Sequence, residues 1–178
     1  MPFVFKYFNY SSFSLPLKNE KYFVSDKYFG MHIHNADYAG NWPTIEFSSW
    51  RLWDAYVSWP NIQKNRNEWD FHKLDNFIDI ASKKNIELTL PLGLSPTWAA
   101  SRPKEKSAYN LGWASEPKNH LDWKTYVKVI MTRYKGRINN YEIWNEPNFK
   151  RFYSGSVKNM VLLTCEAYAI AKSVDPNI

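Results

Sequence analysis

The chain has 178 residues, 44% hydrophobic and 22% charged, with one cysteine and a net charge of +6. That size fits one domain, or one and a part, and the balance excludes disorder, collagen, coiled coil and a disulfide-stapled scaffold. No run of about 18 apolar residues is present to span a membrane, and the lysines are scattered singly or in mixed-sign runs such as Lys104-Glu105-Lys106, a solvated surface rather than a nucleic-acid patch.

Residues 1–27 read as an irregular lead-in, aromatic and polar without a clear period. The start Met1-Pro2-Phe3-Val4-Phe5-Lys6 lacks the basic segment and long apolar run of a signal peptide. From residue 28 to 178 the pattern is orderly. Tyr28 to His34 is a short apolar and aromatic run, a first strand. Asn35 to Phe47 holds Gly40 and Pro43 without a helical period, so a loop stands where a helix would be expected. Ser49 to Trp53 reads as a second strand. Asp70 is placed as an N-cap, with Phe71, Leu74, Phe77, Ile78 and Ala81 on one apolar face and Asn85 as a left-handed stop.

Ile86 to Leu90 is a third strand. Gly93 to Leu121, with Pro96, Pro103 and Pro117, is a connection of the length that usually serves function. Asp122 is assigned as the cap of a second helix that carries Tyr126, Val127, Ile130 and Tyr134 and stops at Gly136. Ile138 to Trp144 is a fourth strand. Ser156 caps a last helix with the face Met160, Leu163, Ala167, Ile170 and Val174, ended by Pro176. Cys165 falls in this pattern and reads as an inert core thiol.

Alternation of this kind argues an α/β fold with a parallel sheet and right-handed crossovers. A doubly wound sheet and a (β/α)8 barrel both fit. No glycine-rich phosphate loop follows any strand, so no nucleotide cofactor is expected.

The sharpest chemical signal is Tyr141-Glu142-Ile143-Trp144-Asn145-Glu146-Pro147-Asn148. Proline cannot continue a central strand, so Glu146 falls at the carboxyl end, where parallel α/β folds build active sites. A partly desolvated carboxyl there, beside Trp144, holds a proton for general acid work; capping the next segment is the structural alternative. Nine Trp, twelve Tyr and eleven Phe make 18% of the chain, a surplus suited to a concave surface for amphipathic ligands. His32 and His34, two apart on one strand face, could chelate a metal.

Arg133-Tyr134-Lys135-Gly136-Arg137-Ile138 followed by Trp144-Asn145-Glu146-Pro147-Asn148 resembles the fourth-strand region of clan A glycoside hydrolases, retaining glycosidases on (β/α)8 barrels. Trp50-Arg51-Leu52-Trp53-Asp54 resembles the second strand of family 39-like members. Trp69-Asp70 with Phe71 to Leu74, and Leu90 to Ala99 ending Ser95-Pro96-Thr97-Trp98-Ala99, resemble their second helix, third strand and following loop. The likeness runs from about Phe29 to Asn177; the nearly absent first helix departs from it.

The resemblance implies that Glu146 is the acid/base carboxylate, that Asn145 bonds the sugar 2-hydroxyl, and that Arg51 is the second-strand arginine beneath the nucleophile. A protonated Glu can donate to the departing glycosidic oxygen and then take a proton from water. Arg51 needs a carboxylate partner, and Glu142 is expected to supply it. Glu142, Trp144 and Glu146, two apart, are expected to share the barrel interior. Trp53, Trp98 and Trp144 are candidate subsite walls, and His34 a candidate sugar ligand. Metal-dependent amidohydrolase barrels also carry His-x-His on their first strand, so a metal hydrolase using His32 and His34 is the competing enzyme class. Those enzymes need a further lysine or histidine at later strand ends, where this chain has Asn-Glu-Pro; hence no metal or other cofactor is expected.

Retaining hydrolysis needs two carboxylates about 5–5.5 Å apart. In the resembled family the second lies at the end of the seventh strand. Four strands here occupy residues 28–174, and eight at that density need roughly 300, against about 250 for a typical barrel. Residues 28–178 are therefore expected to be the amino-terminal half of a glycosidase barrel, truncated after about four β/α units and inactive alone. The expected partners are a carbohydrate and either the missing half-barrel or another copy, paired through open sheet edges. A non-catalytic carbohydrate-binding relic is the alternative.

Overall fold

The computed structural model describes residues 24–25, 28–38 and 40–178, so the lead-in lies outside the described residues except for Val24 and Ser25. Four strands form one parallel sheet in the order β1 (Gly30–Met31), β2 (Ser49–Arg51), β3 (Glu87–Leu92) and β4 (Asn140–Ile143). Consecutive order without reversal is the barrel pattern; a doubly wound sheet reverses at its switch point. The chain therefore has the fold of the first four units of a (β/α)8 barrel. Among the described residues β1 and β4 are edges.

β1, β2 and β4 are shorter than the sequence pattern suggests, while β3 runs two residues further, to Leu92. β1 keeps two residues because only Ser49 and Trp50 face it before the chain turns at Asp54 and Tyr56, both at positive φ. β4 stops at Ile143 because Trp144 takes φ 67°. Register puts Trp50 beside Leu88, Leu90 beside Tyr141 and Leu92 beside Ile143 on one face. Arg51 beside Thr89, and Pro91 beside Glu142, fall on the other.

The helices among the described residues are α1 (Trp59–Ile62), α2 (His72–Lys83), α3 (His120–Arg133) and α4 (Val157–Val174). The apolar faces of α2, α3 and α4 bury Leu74, Phe77, Tyr126, Val127, Ile130, Leu163 and Ala167 in one cluster with Trp50, Leu88, Leu90 and Leu92. Asn85 (φ 53°) and Gly136 (φ 72°) end their helices in left-handed turns, and the Ser156 hydroxyl accepts from the Asn159 amide, 3.1 Å. Two caps differ from expectation. The helix expected at Asp70 begins at His72, whose amide Asp70 Oδ1 accepts at 3.2 Å. The α3 cap is Asn119, which accepts from Leu121 at 2.9 Å. Asp122 is instead buried in the first turn, held by Arg66, a partner too distant in sequence to anticipate. α1 escapes periodicity because it is four residues long. Cys165 is exposed, because it points away from the buried Leu163 and Ala167 stripe.

Much of the aromatic surplus is core. Trp50, Trp59, Trp123 and Trp144 are fully buried, and Trp59 stacks on Tyr126 with centroids 4.9 Å apart. No helix among the described residues is long and apolar enough to cross a membrane.

The long connection after β3 holds no helix or strand, yet it is pinned. Arg102 donates to Glu105, to both oxygens of Glu116 at 2.8 Å and to Ser154 Oγ at 2.8 Å. Backbone bonds from Ala108 to Arg151 (2.9 Å) and from Ser154 to Ala114 (2.8 Å) tie it to the loop after β4. The Arg102 hydrogen bond holds the Glu116 carboxyl below its ordinary 4.5, against the opposing effect of burial. At Glu105 burial pushes upward, and hydrogen bonds from Ser154 and Arg102 outweigh it.

Two predictions follow from this packing. A Cβ on Gly93 would lie 3.1 Å from Trp144 Cα, so Gly93→Ala should lower stability by about 1–3 kcal/mol, read by chemical denaturation. Both depressed carboxyls stabilise the fold above their ordinary range, and that contribution is lost as pH falls through their folded values. Wild type should therefore melt above Arg102→Met at pH 7, and the gap should close below about pH 4.5 in thermal melts.

Candidate active site

The carboxyl ends of the strands carry an unusual backbone. Asn35, Asp54, Tyr56, Leu94, Trp144 and Glu146 all have positive φ, and each follows a strand by a few residues. For non-glycine residues this costs about 1–3 kcal/mol each, and such strain collects where side chains must be aimed. The other positive-φ non-glycine residue described is Asn85, which closes α2.

Arg51 lies at the centre. From the end of β2 it reaches across β3 to β4, the ion pair expected with Glu142. Its Nε donates to Glu142 Oε2 at 2.7 Å and an Nη to Glu142 Oε1 at 2.6 Å. The same terminal nitrogen donates to Asn145 Oδ1 at 2.8 Å. The hydrogen bond to Glu142 raises Arg51 above its ordinary range; burial opposes this, and the charges of Glu142, Asp54 and Glu146 reinforce it. An arginine only donates, so the oxygen of Asn145 must face it. The Asn145 amide NH2 is thereby turned to Glu146, 3.4 Å from Oε2.

Glu146 is exposed at φ 43°. Trp144 does not share its face as expected. The positive φ of Trp144 breaks strand alternation and sends the indole into the core, where Nε1 donates to Phe152 O at 2.7 Å. It is therefore neither a dry wall for Glu146 nor a lining residue.

Trp53 does join the cluster. The Arg51 guanidinium lies 5.8 Å from its ring centroid, and Tyr109 and Phe152 meet it edge-on at 6.0 and 6.3 Å. Trp98 does not: it sits under Arg66 (4.9 Å) with Nε1 donating to Gln63 O at 3.1 Å. His34 lies over Tyr56 with ring centroids 6.0 Å apart. His32 Nε2 donates to the Trp53 carbonyl, so the two histidines serve different contacts. Among the described residues no group of three or more His, Cys, Asp and Glu is placed to hold a metal ion.

Sequence reading missed Tyr109 on this face. The Tyr109 hydroxyl donates to Asp54, and burial together with that bond lifts the phenol well above its ordinary range. Tyr109 comes from a loop without periodicity, 55 residues from its partner, and only its position in the long connection after a strand could have flagged it.

A family model described as Glycosyl hydrolases family 39 matches residues 44–178. A β-xylosidase of Geobacillus stearothermophilus is 26% identical over 118 residues, covering 62% of this chain and 23% of its own length. A β-xylosidase of Caldicellulosiruptor saccharolyticus is 26% identical over 142 residues, covering 75% and 29%. The chain thus spans about a quarter of the length of these curated relatives. A family 39 glycoside hydrolase from Bacteroides cellulosilyticus WH2 superposes with a TM-score of 0.60 at 16% identity, over 87% of this chain and 32% of that one. The match over residues 44–178 establishes that this chain belongs to glycosyl hydrolase family 39.

Proposed function

We propose that residues 28–178 form the amino-terminal half of a retaining glycosidase domain acting on xylose-containing oligosaccharides, with Glu146 as acid/base. The observation that carries this reading is the donor chain from Arg51 through Asn145 to Glu146. A guanidinium clamped by Glu142 fixes the Asn145 amide so that its NH2 is turned to the exposed Glu146 carboxyl. An NH2 so oriented suits a sugar 2-hydroxyl whose bond strengthens as the ring becomes oxocarbenium-like. The β-xylosidase relatives support xylose as the sugar.

Glu146 protonates the departing oxygen in the first step and deprotonates water in the second. The second carboxylate must attack the anomeric carbon directly. Glu142 is committed to Arg51, and the family resemblance implies a second carboxylate at the end of a seventh strand. We therefore assign the nucleophile to protein outside these residues. His34 and Trp53 serve as sugar-binding groups in this reading.

The isolated chain should not hydrolyse an activated aryl β-xyloside, since the covalent route supplies most of the barrier reduction. Turnover by this chain alone, abolished by Glu146→Gln, would show that the nucleophile lies within it. Binding of xylosides without turnover, even beside a complementary half-barrel, would favour a carbohydrate-binding relic.

In the enzyme assembled with its nucleophile, Glu146→Ala should slow release of a poor leaving group by about 10²–10⁴ while a dinitrophenolate still departs. Azide, which needs no general base, should then restore the second step and give a glycosyl azide of retained configuration. Equal slowing for both leaving groups, without azide rescue, would refute the assignment.

A further inference from the structure

Beside the Glu146 opening lies a cavity of about 390 Å³ between the loop after β2 and the long connection after β3. That volume falls in the range of small-ligand sites. Its aromatic surfaces are Tyr56, Tyr109 and Trp113, with Trp53 as the wall shared with the Arg51 cluster. Three of its lining residues, Asp54, Tyr56 and Leu94, are at positive φ. Asp54 is its one carboxylate, and no lysine or arginine lines it.

We propose that this cavity is a second sugar subsite, in which Asp54 accepts hydrogen bonds from vicinal hydroxyls of a neutral pyranose and sets specificity for it. The proposal rests on the glycosidase reading of the Glu146 site. Asp54 at φ 52° is held in a backbone form that aspartate tolerates better than most residues. The Tyr109 hydroxyl occupies Asp54 in the absence of sugar, so an incoming ring exchanges one hydroxyl donor for another. Charge-assisted bonds of this kind are about twice as strong as neutral ones. Exposed Tyr109 and half-buried Trp113, with centroids 6.3 Å apart, present apolar surface to the C–H face of the ring. A uronic acid carboxylate would meet Asp54 with no lysine or arginine lining the cavity, so the subsite disfavours it although the whole chain is basic.

The test is an NMR titration of the 178-residue chain, read at the tryptophan indole N–H signals, with three probes. These are methyl β-D-xyloside, xylobiose, and the disaccharide in which glucuronic acid replaces the second xylose. Xylobiose should bind about tenfold tighter than methyl xyloside, a difference of about 1.4 kcal/mol. It should shift Trp113 and leave Trp98, already bonded to Gln63, in place. Asp54→Gly removes the carboxylate while glycine takes φ 52° freely. It should erase the tenfold advantage and leave methyl xyloside binding unchanged. The glucuronic disaccharide should bind about tenfold more weakly than xylobiose, and Asp54→Asn, which keeps shape and backbone preference, should close that gap.

Equal affinity for xylobiose and methyl xyloside, an unmoved Trp113, or equal losses on both sugars in Asp54→Gly would overturn the subsite. If methyl xyloside still binds in those cases and Asn145→Ala weakens it, the reading of the Glu146 site stands and only the subsite falls. If no sugar shifts any indole, both fall.

Discussion

A guanidinium has five N–H donors and no acceptor, and that asymmetry organises the carboxyl face of this sheet. Arg51 joins β2 to β4 over the intervening β3, two strand spacings or roughly 10 Å. Its planar fork matches the Glu142 carboxylate oxygen for oxygen, which lysine could not do. With Glu142 filling one side, the second N–H of the same terminal nitrogen decides which way the Asn145 amide lies. The orientation of the group nearest Glu146 is therefore set by chemistry two strands away.

This arrangement needs a rigid backing, and the opposite face supplies it. Trp50, Leu88, Leu90 and Leu92 fill the space between sheet and helices, and the Trp59–Tyr126 stack and Trp123 extend that packing under the loops. Removing a buried aromatic of this size costs about 3–5 kcal/mol. That reserve exceeds the strain at any one of the left-handed residues after the strands. Trp144 belongs to both systems: its ring is core, while its backbone turns the chain so that Asn145 meets Arg51 and Glu146 faces outward.

Features governed by near neighbours were legible in the sequence. Asn85, Gly136 and Ser156 end or start their helices through backbone and hydroxyl geometry that depends on a few residues, and the alternation of strands and helices gave the parallel order. The direction of Trp144 was not legible, because one φ angle overrides strand alternation. Nor was the real cap of α3: Asp122 has the right chemistry for a cap, but Arg66 draws it into an ion pair and leaves Asn119 the task. Trp98 shares its composition argument with Trp53, and only the fold separates the indole under Arg66 from the one beside Arg51. Asp54 and Tyr109 meet through loops whose course no period encodes.

The clamp at Arg102 also bears on how such a domain can be altered. The connection after β3 and the loop after β4 share backbone hydrogen bonds and one arginine, so neither has an independent conformation to transplant. Exchanging the connection alone would leave Ser154 without its Arg102 donor, and exchanging either loop alone would break the Ala108–Arg151 and Ser154–Ala114 backbone bonds and expose unpaired amides at the rim. The unit to transplant on this side is the pair of loops together.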